Sequence, residues 1–244
     1  MNIEVAYSFD DLNSLSQKTV IVIDVLRAST SIVAAFANGC RSIYPVESLE
    51  EAKSMHIKSP DALLCGERDG LRPDFFHLGN SPFEYTSEKV SGKDLILTTT
   101  NGTRALTIAK KANIVFVGSF VNLNAVLDKS LSAGQDIVML PAGRAGGFSW
   151  EDALCAGMMS YELNRRVCNL SMSDGARWSY YAFLGLFGQN PAPTAEQLTV
   201  LLGNTIHGVH LKKIGFAKDL QFCADINRFK LIPTLSGDEL IMSV

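Results

Sequence analysis

Thr98-Thr99-Thr100-Asn101-Gly102-Thr103-Arg104-Ala105 follows the apolar run Leu95-Ile96-Leu97 and leads into a helix-like run from Ala105 to Lys111. A strand, a hydroxyl-rich turn with one glycine and then a helix is a common way to build an anion pocket. The first N–H groups of a helix have no partner within it and carry partial positive charge. The threonine hydroxyls add donors, and Arg104 adds a planar fork suited to phosphate, sulfonate or carboxylate. Gly102 permits close backbone approach. The plain alternative is a Thr-rich strand end closed by an Asn-Gly turn.

The same pattern occurs twice more. Val20-Ile21-Val22-Ile23-Asp24 is followed by Val25-Leu26-Arg27-Ala28-Ser29-Thr30-Ser31 and the helical stretch Ile32 to Ala37, closed by Asn38-Gly39. Asp136 to Leu140 runs into Pro141-Ala142-Gly143-Arg144-Ala145-Gly146-Gly147, then a helix opened by Ser149, Glu151 and Asp152. In an open α/β sheet, loops leaving the carboxyl ends of strands converge on one crevice. Three Arg-bearing loops there would form a pocket for a small anion. Strands are expected at about 20–24, 95–99, 114–118 and 136–140, and helices at about 29–38, 103–111, 122–132 and 151–169. The expectation is a three-layer αβα fold with a mainly parallel or mixed sheet. It forms a single domain over 1–244, with two lobes of about 1–133 and 134–244 as a variant. Residues 60–83 read as a long irregular loop with 72–77 as a lid. Residues 171–232 read as helical, broken at 188–193, with a strand-like piece at 216–223.

Six segments, taken in order, resemble the signature segments of the 2-phosphosulfolactate phosphatases. They are Asp24 to Thr30, Gly66-Glu67-Arg68, Leu78-Gly79-Asn80-Ser81-Pro82, Thr98 to Ala105, Gly118-Ser119-Phe120 and Glu151 to Gly157. The resemblance runs from about Val20 to about Cys223. Two positions depart from it: Pro141-Ala142-Gly143 stands where the family often has Cys-Ala-Gly, and Ser29 where it tends to have Thr. The resemblance implies a magnesium-dependent phosphatase that converts 2-phospho-3-sulfolactate to 3-sulfolactate, a step toward coenzyme M.

Bulk properties agree with a globular enzyme. The 244 residues are 47% hydrophobic and 19% charged, enough to bury a full α/β core. A net charge of −3 argues against a general nucleic-acid binder. No apolar run approaches the roughly 20 residues that span a bilayer, and Met1 to Val5 does not read as a signal peptide. Cytoplasm is the expected compartment, and a homo-oligomer, a dimer first, is the expected assembly. The five cysteines are an odd number without a CxxC pair, which speaks against a disulfide framework or zinc knuckle.

Other phosphatase chemistries fail on spacing. Cys65 is followed six residues later by Leu71, not the arginine a thiolate cradle needs. Leu26 stands where a haloacid-dehalogenase enzyme carries its second aspartate, and no Arg-His-Gly occurs. His207 and His210 read as a solvated or capped helix end rather than a ligand pair. An oxygen-rich site remains. Magnesium takes a few carboxylates, waters and substrate oxygens, and the candidate ligands are Asp24, Glu67, Glu151 and Asp152. Each has a plain alternative, as a helix-dipole partner or a surface pair. Asp24, Arg27, Arg68 and Arg104 form the expected catalytic set, with the arginines clamping the substrate's anionic groups. Ser29, Thr30, Asn80, Ser81, Thr100, Asn101, Gly102, Thr103 and Ser119 form the expected substrate-binding set. The attacking group is either a metal-activated water or a covalent nucleophile such as Thr100. A phosphatase for another small phospho-acid and a sensor of an anionic metabolite are the competing functions; carboxylates lining a polyanion pocket disfavour the sensor.

Overall fold

Val20-Ile21-Val22-Ile23 is apolar at every position because both faces of its strand are covered, as parallel strands require. In the computed structural model, which describes residues 1–9, 12, 14–144, 147–189 and 191–242, this run lies mid-sheet. Ala145 and Gly146 of the third Arg-bearing loop, and Asn190 of the expected helix break, lie outside the described residues. The chain runs β1 (Asn2–Val5), β2 (Thr19–Ile23), α1 (Ala28–Ala37), β3 (Ser42–Pro45), α2 (Leu49–Lys58), β4 (Leu63–Gly66) and α3 (Ser87–Val90). It continues β5 (Asp94–Thr98), α4 (Gly102–Ala109), β6 (Ile114–Gly118), α5 (Leu123–Ser132), β7 (Ile137–Pro141) and α6 (Trp150–Arg166). It ends β8 (Ser171–Met172), α7 (Asp174–Phe187), α8 (Ala195–Asn204), α9 (Ile206–Lys213), α10 (Ala217–Cys223), β9 (Pro233–Ser236) and β10 (Glu239–Met242).

The ten strands form one mixed sheet in the order β4-β5-β3-β10-β9-β6-β2-β7-β1-β8. Strands β4, β5 and β3 are mutually parallel, as are β6, β2, β7, β1 and β8. The hairpin of β9 and β10 joins the two sets by antiparallel pairs on both sides. Strand β7, beyond the expected lobe boundary near 133, inserts between β2 and β1.

Side-chain alternation sorts the core into layers. Ile21, Ile23, Phe116, Ile137 and Met139 face α5, α6 and α7. Their neighbours Val20, Val22, Val115, Val117, Val138 and Leu140 face α1 and α4 on the other side. A smaller core of Val46, Ala52, Leu64, Phe76 and Ile96 lies under α2. The fold is thus three-layered α/β, as expected. Among the described residues no helix is long and apolar enough to cross a membrane.

Two expectations are corrected. Residues 216–223 contain α10 rather than a strand: Asp219, Leu220 and Cys223 are buried together, a spacing of three to four that belongs to a helix face. The stretch 60–83 is not wholly irregular. It contains β4, four residues that pair with β5, and the start of a 3-10 turn at Pro82–Glu84. Within it Arg72 Nη1 donates to the carbonyls of Phe76 and His77, and Phe76 is buried in the small core.

Gly66 closes β4 with a φ of +128°, and a Cβ there would stand 1.9 Å from Thr98 O. Glycine alone fits that backbone, which delivers the following residue, Glu67, to the carboxyl end of β5. Gly66→Ala is expected to cost about 3 kcal/mol or more in chemical unfolding. Wild-type stability in that variant would refute the close approach.

Candidate active site

The turn after β2 is fixed from within. Ser29 Oγ accepts the Asp24 N–H at 2.9 Å, and Ser29 N–H returns to Asp24 O at 2.9 Å. Asp24 Oδ1 accepts the Ala28 N–H at 3.1 Å, satisfying an orphan donor at the start of α1. The other oxygen, Oδ2, faces α4: a Cβ on Gly102 would stand 2.7 Å from it. Gly102 therefore lets the start of α4 close over Asp24.

Four carboxylates meet here. Asp24, Glu67, Glu151 and Asp152 are all buried and line one chamber of about 20 Å³, with Arg27, Gly70, Asn80, Asn101, Gly143 and His207 among the other walls. Glu67 Oε1 accepts Thr100 N–H at 2.8 Å, and Oε2 accepts Gly70 N–H at 2.7 Å and the Thr100 hydroxyl at 3.3 Å. Asp152 Oδ1 accepts Val25 N–H at 2.8 Å, and Oδ2 accepts Gly143 N–H at 3.3 Å. Ser149 Oγ caps α6 at Asp152 N–H, which aims the first turn of α6 into the chamber. Glu151 Oε1 lies 3.3 Å from His207 Nδ1.

Burial pushes the Asp24 carboxyl up to about 6, reinforced by Glu67 and Glu151 and opposed by His207 and the Ala28 N–H. Burial also raises Asp152 well above the usual range, with Asp24 and Glu151 adding to the shift. Like charges at low dielectric need a cation or shared protons. The acidic donors are all oxygen, as magnesium prefers. Among the described residues no three His, Cys, Asp or Glu side chains stand close enough together to hold a metal ion as they are placed.

The chamber adjoins an outer cleft of about 300 Å³ and shares Glu67, Gly70, Asn101 and His207 with it. Thr100, Arg144 and His210 complete its polar wall, along with Asp69, whose carbonyl holds His210 Nε2 at 3.0 Å. Asn80 Oδ1 is buried without a hydrogen-bond partner among the described residues.

The structure therefore gathers Asp24, Arg27, Glu67, Asn80, Asn101, Glu151 and Asp152 at the chamber, places Thr100 at the cleft and sets Gly102 behind Asp24. Arg27 and several other expected residues are held by protein partners. Arg27 is 2% exposed; its Nη1 donates to Asp219 Oδ2 and its Nη2 to Gly70 O, both at 2.7 Å, and it stacks on Phe216. Ser81 donates to the other oxygen of Asp219. Arg68 is committed to the Glu67 and Glu47 carbonyls and the Thr98 hydroxyl. Arg104 lies about 200° round α4 from Gly102, and so is exposed, over the ring of Phe9. Thr103 bonds back to Thr99. Thr30 pairs with Ser119 and with Val25 O, while Ser119 caps the turn that opens α5. His207 stands in the first turn of α9 and His210 in its last, the helix-end placement expected, and both also line the cleft. Their spacing of three was the available signal. Asp219 escaped notice because it sits in the segment read as a strand.

The 2-phosphosulpholactate phosphatase family model matches residues 8–238. A probable 2-phosphosulfolactate phosphatase of Clostridium acetobutylicum is 35% identical over 99% of this chain and 100% of its own length. Proteins of the same description from Thermotoga petrophila and Carboxydothermus hydrogenoformans are each 39% identical; the alignments cover 92% and 96% of this chain and 92% of either relative. This chain belongs to the 2-phosphosulfolactate phosphatase family, a family of phosphoric monoester hydrolases.

Proposed function

We propose that this chain hydrolyses the phosphate ester of 2-phospho-3-sulfolactate to 3-sulfolactate and phosphate, with magnesium, in the cytoplasm and on a route toward coenzyme M. The observation that carries this reading is the chamber of four buried carboxylates opening into a cleft walled by Arg144, His207 and His210. Asp24, Glu67, Glu151 and Asp152 would hold the magnesium. Bound there, the cation would offset phosphoryl charge and acidify a water.

The chain's own groups have separable tasks. The adjoining cleft has room for a water and the substrate. As that water's oxygen bonds to phosphorus, the ester P–O bond breaks and the electron pair leaves with the sulfolactate oxygen. The proton the water loses can pass to His207, which lines both the chamber and the cleft. His207, held by Glu151, is placed to return a proton to the departing oxygen. Arg144 and His210 lie where the carboxylate and sulfonate of a small polyanion would reach. Arg27 holds the loop carrying Gly70 in place, which keeps Glu67 at the chamber.

Phosphate release from 2-phospho-3-sulfolactate and from its carboxylate and unsubstituted analogues, with magnesium and with chelator, tests the reading. Metal-dependent release that favours the sulfonate is expected. Equal release from all analogues would remove the substrate assignment, and tight binding without release would make the chain a sensor.

Asp24→Asn is expected to lower kcat/KM by about 10²–10⁴-fold. Arg144→Ala should raise KM far more than Arg104→Ala, because only Arg144 lines the cleft. The opposite ranking would move the substrate to another face.

Stability carries a pH signature. Asp24 titrates at about 6 in the folded chain against 3.8 ordinarily. Folding then takes up a proton between about pH 4 and 6, and stability at this site falls as pH rises through that window. In chelator, the Tm advantage of Asp24→Asn over wild type should widen from pH 4 to pH 7. A constant difference would mean an unshifted carboxyl.

A further inference from the structure

The chain has two tryptophans, Trp150 and Trp178, and both lie on one apolar face beside the active site. Trp178 on α7 is 51% exposed and makes an edge contact with Phe148, which is 49% exposed. Trp150, Trp178 and Leu186 line a shallow depression between α6 and α7. Phe148 and Trp150, with Leu201 of α8 and Ile206 of α9, line a trough of about 390 Å³ next to it. Tyr181, one turn beyond Trp178, is 65% exposed, and Ile206 is 73% exposed.

We infer that this face is the interface of a homodimer of this chain. Two observations select a second copy as the occupant. The first is area. Half-exposed aromatic rings of 150–250 Å² each, together with Leu186, Ile206 and Val209, present roughly 600–700 Å² of apolar surface. That approaches the roughly 800 Å² per partner of a stable interface and exceeds what a typical monomer leaves bare. The second is charge. From Trp178 to Phe187 the sequence has no Lys, Arg, Asp or Glu. This suits the apolar centre of a homodimer and not the basic rim of a membrane-surface helix.

The interface bears on the site. Phe148 and Trp150 flank Ser149, the cap of α6, and Glu151 follows Trp150 directly. Ile206 precedes His207. Pairing would brace both ends of the Glu151–His207 contact.

Sedimentation velocity on the full chain at about 1–50 µM, with tryptophan emission and iodide quenching measured alongside, tests this. The expected mass is twice 26.5 kDa, with both tryptophans shielded and becoming quenchable on dilution. Tyr181→Glu and Ile206→Glu, both at exposed positions, are expected to sediment as monomers with unchanged circular dichroism and melting of the chain. A wild-type monomer throughout the range would overturn the inference, as would a dimer that both variants leave intact. A monomer whose tryptophan emission shifts on adding anionic phospholipid vesicles would assign the face to a membrane and overturn it too. None of these readouts depends on phosphatase activity, so the inference stands or falls apart from the proposed substrate.

Discussion

Mutual repulsion among four buried carboxylates is the constraint around which this molecule is arranged. Asp24, Glu67 and the adjacent pair Glu151 and Asp152 come from three separate places in the chain and meet in a chamber barely larger than a water. Such a cluster is costly unless each oxygen finds a donor or a cation. Three of the four recruit backbone. Asp24 takes the Ala28 N–H, Glu67 those of Thr100 and Gly70, and Asp152 those of Val25 and Gly143. The same groups thus tie the loop after β4 to that after β5, and the loops after β2 and β7 to α6. Site and scaffold are one set of hydrogen bonds.

A second tether crosses the first. Arg27 reaches from the β2 turn to Asp219 on α10 and to Gly70 O, and Ser81 occupies the other oxygen of Asp219. An arginine in a signature loop invites a substrate role, yet its fork is filled by protein. Removing Asp219 would leave a buried, unpaired guanidinium, which is far more harmful than losing a surface pair. Among the described residues, Arg144 and the imidazoles of His207 and His210, one turn apart on α9, line the outer cleft.

Much of this was legible in the residues. The apolar runs at 20–24, 95–99, 114–118 and 136–140 are strands because burial on both faces leaves an unmistakable pattern. The four carboxylates stand out because acidic groups closing such runs or opening α6 need partners. The short elements were not legible. Strands β1, β3, β4, β9 and β10 have four residues each, too few for a periodicity, and they depend on partners remote in sequence. Arginine direction was also hidden. Arg104 follows Gly102 by two residues, and only the helical rotation sends the glycine inward and the arginine outward. The hydroxyls of Ser29, Thr30, Thr103 and Ser119 resemble ligand donors in a sequence, but they are used for turns and caps, where local backbone groups compete for them.

Central to the proposed function is that the carboxylate chamber takes up one divalent cation. Manganese, as a paramagnetic probe for magnesium, can be titrated into the chelator-stripped chain and followed by electron paramagnetic resonance, with inorganic phosphate present. The account predicts one saturable site per chain, competed by magnesium and lost in Asp24→Asn. No saturable site, or one that Asp24→Asn leaves unchanged, would contradict it.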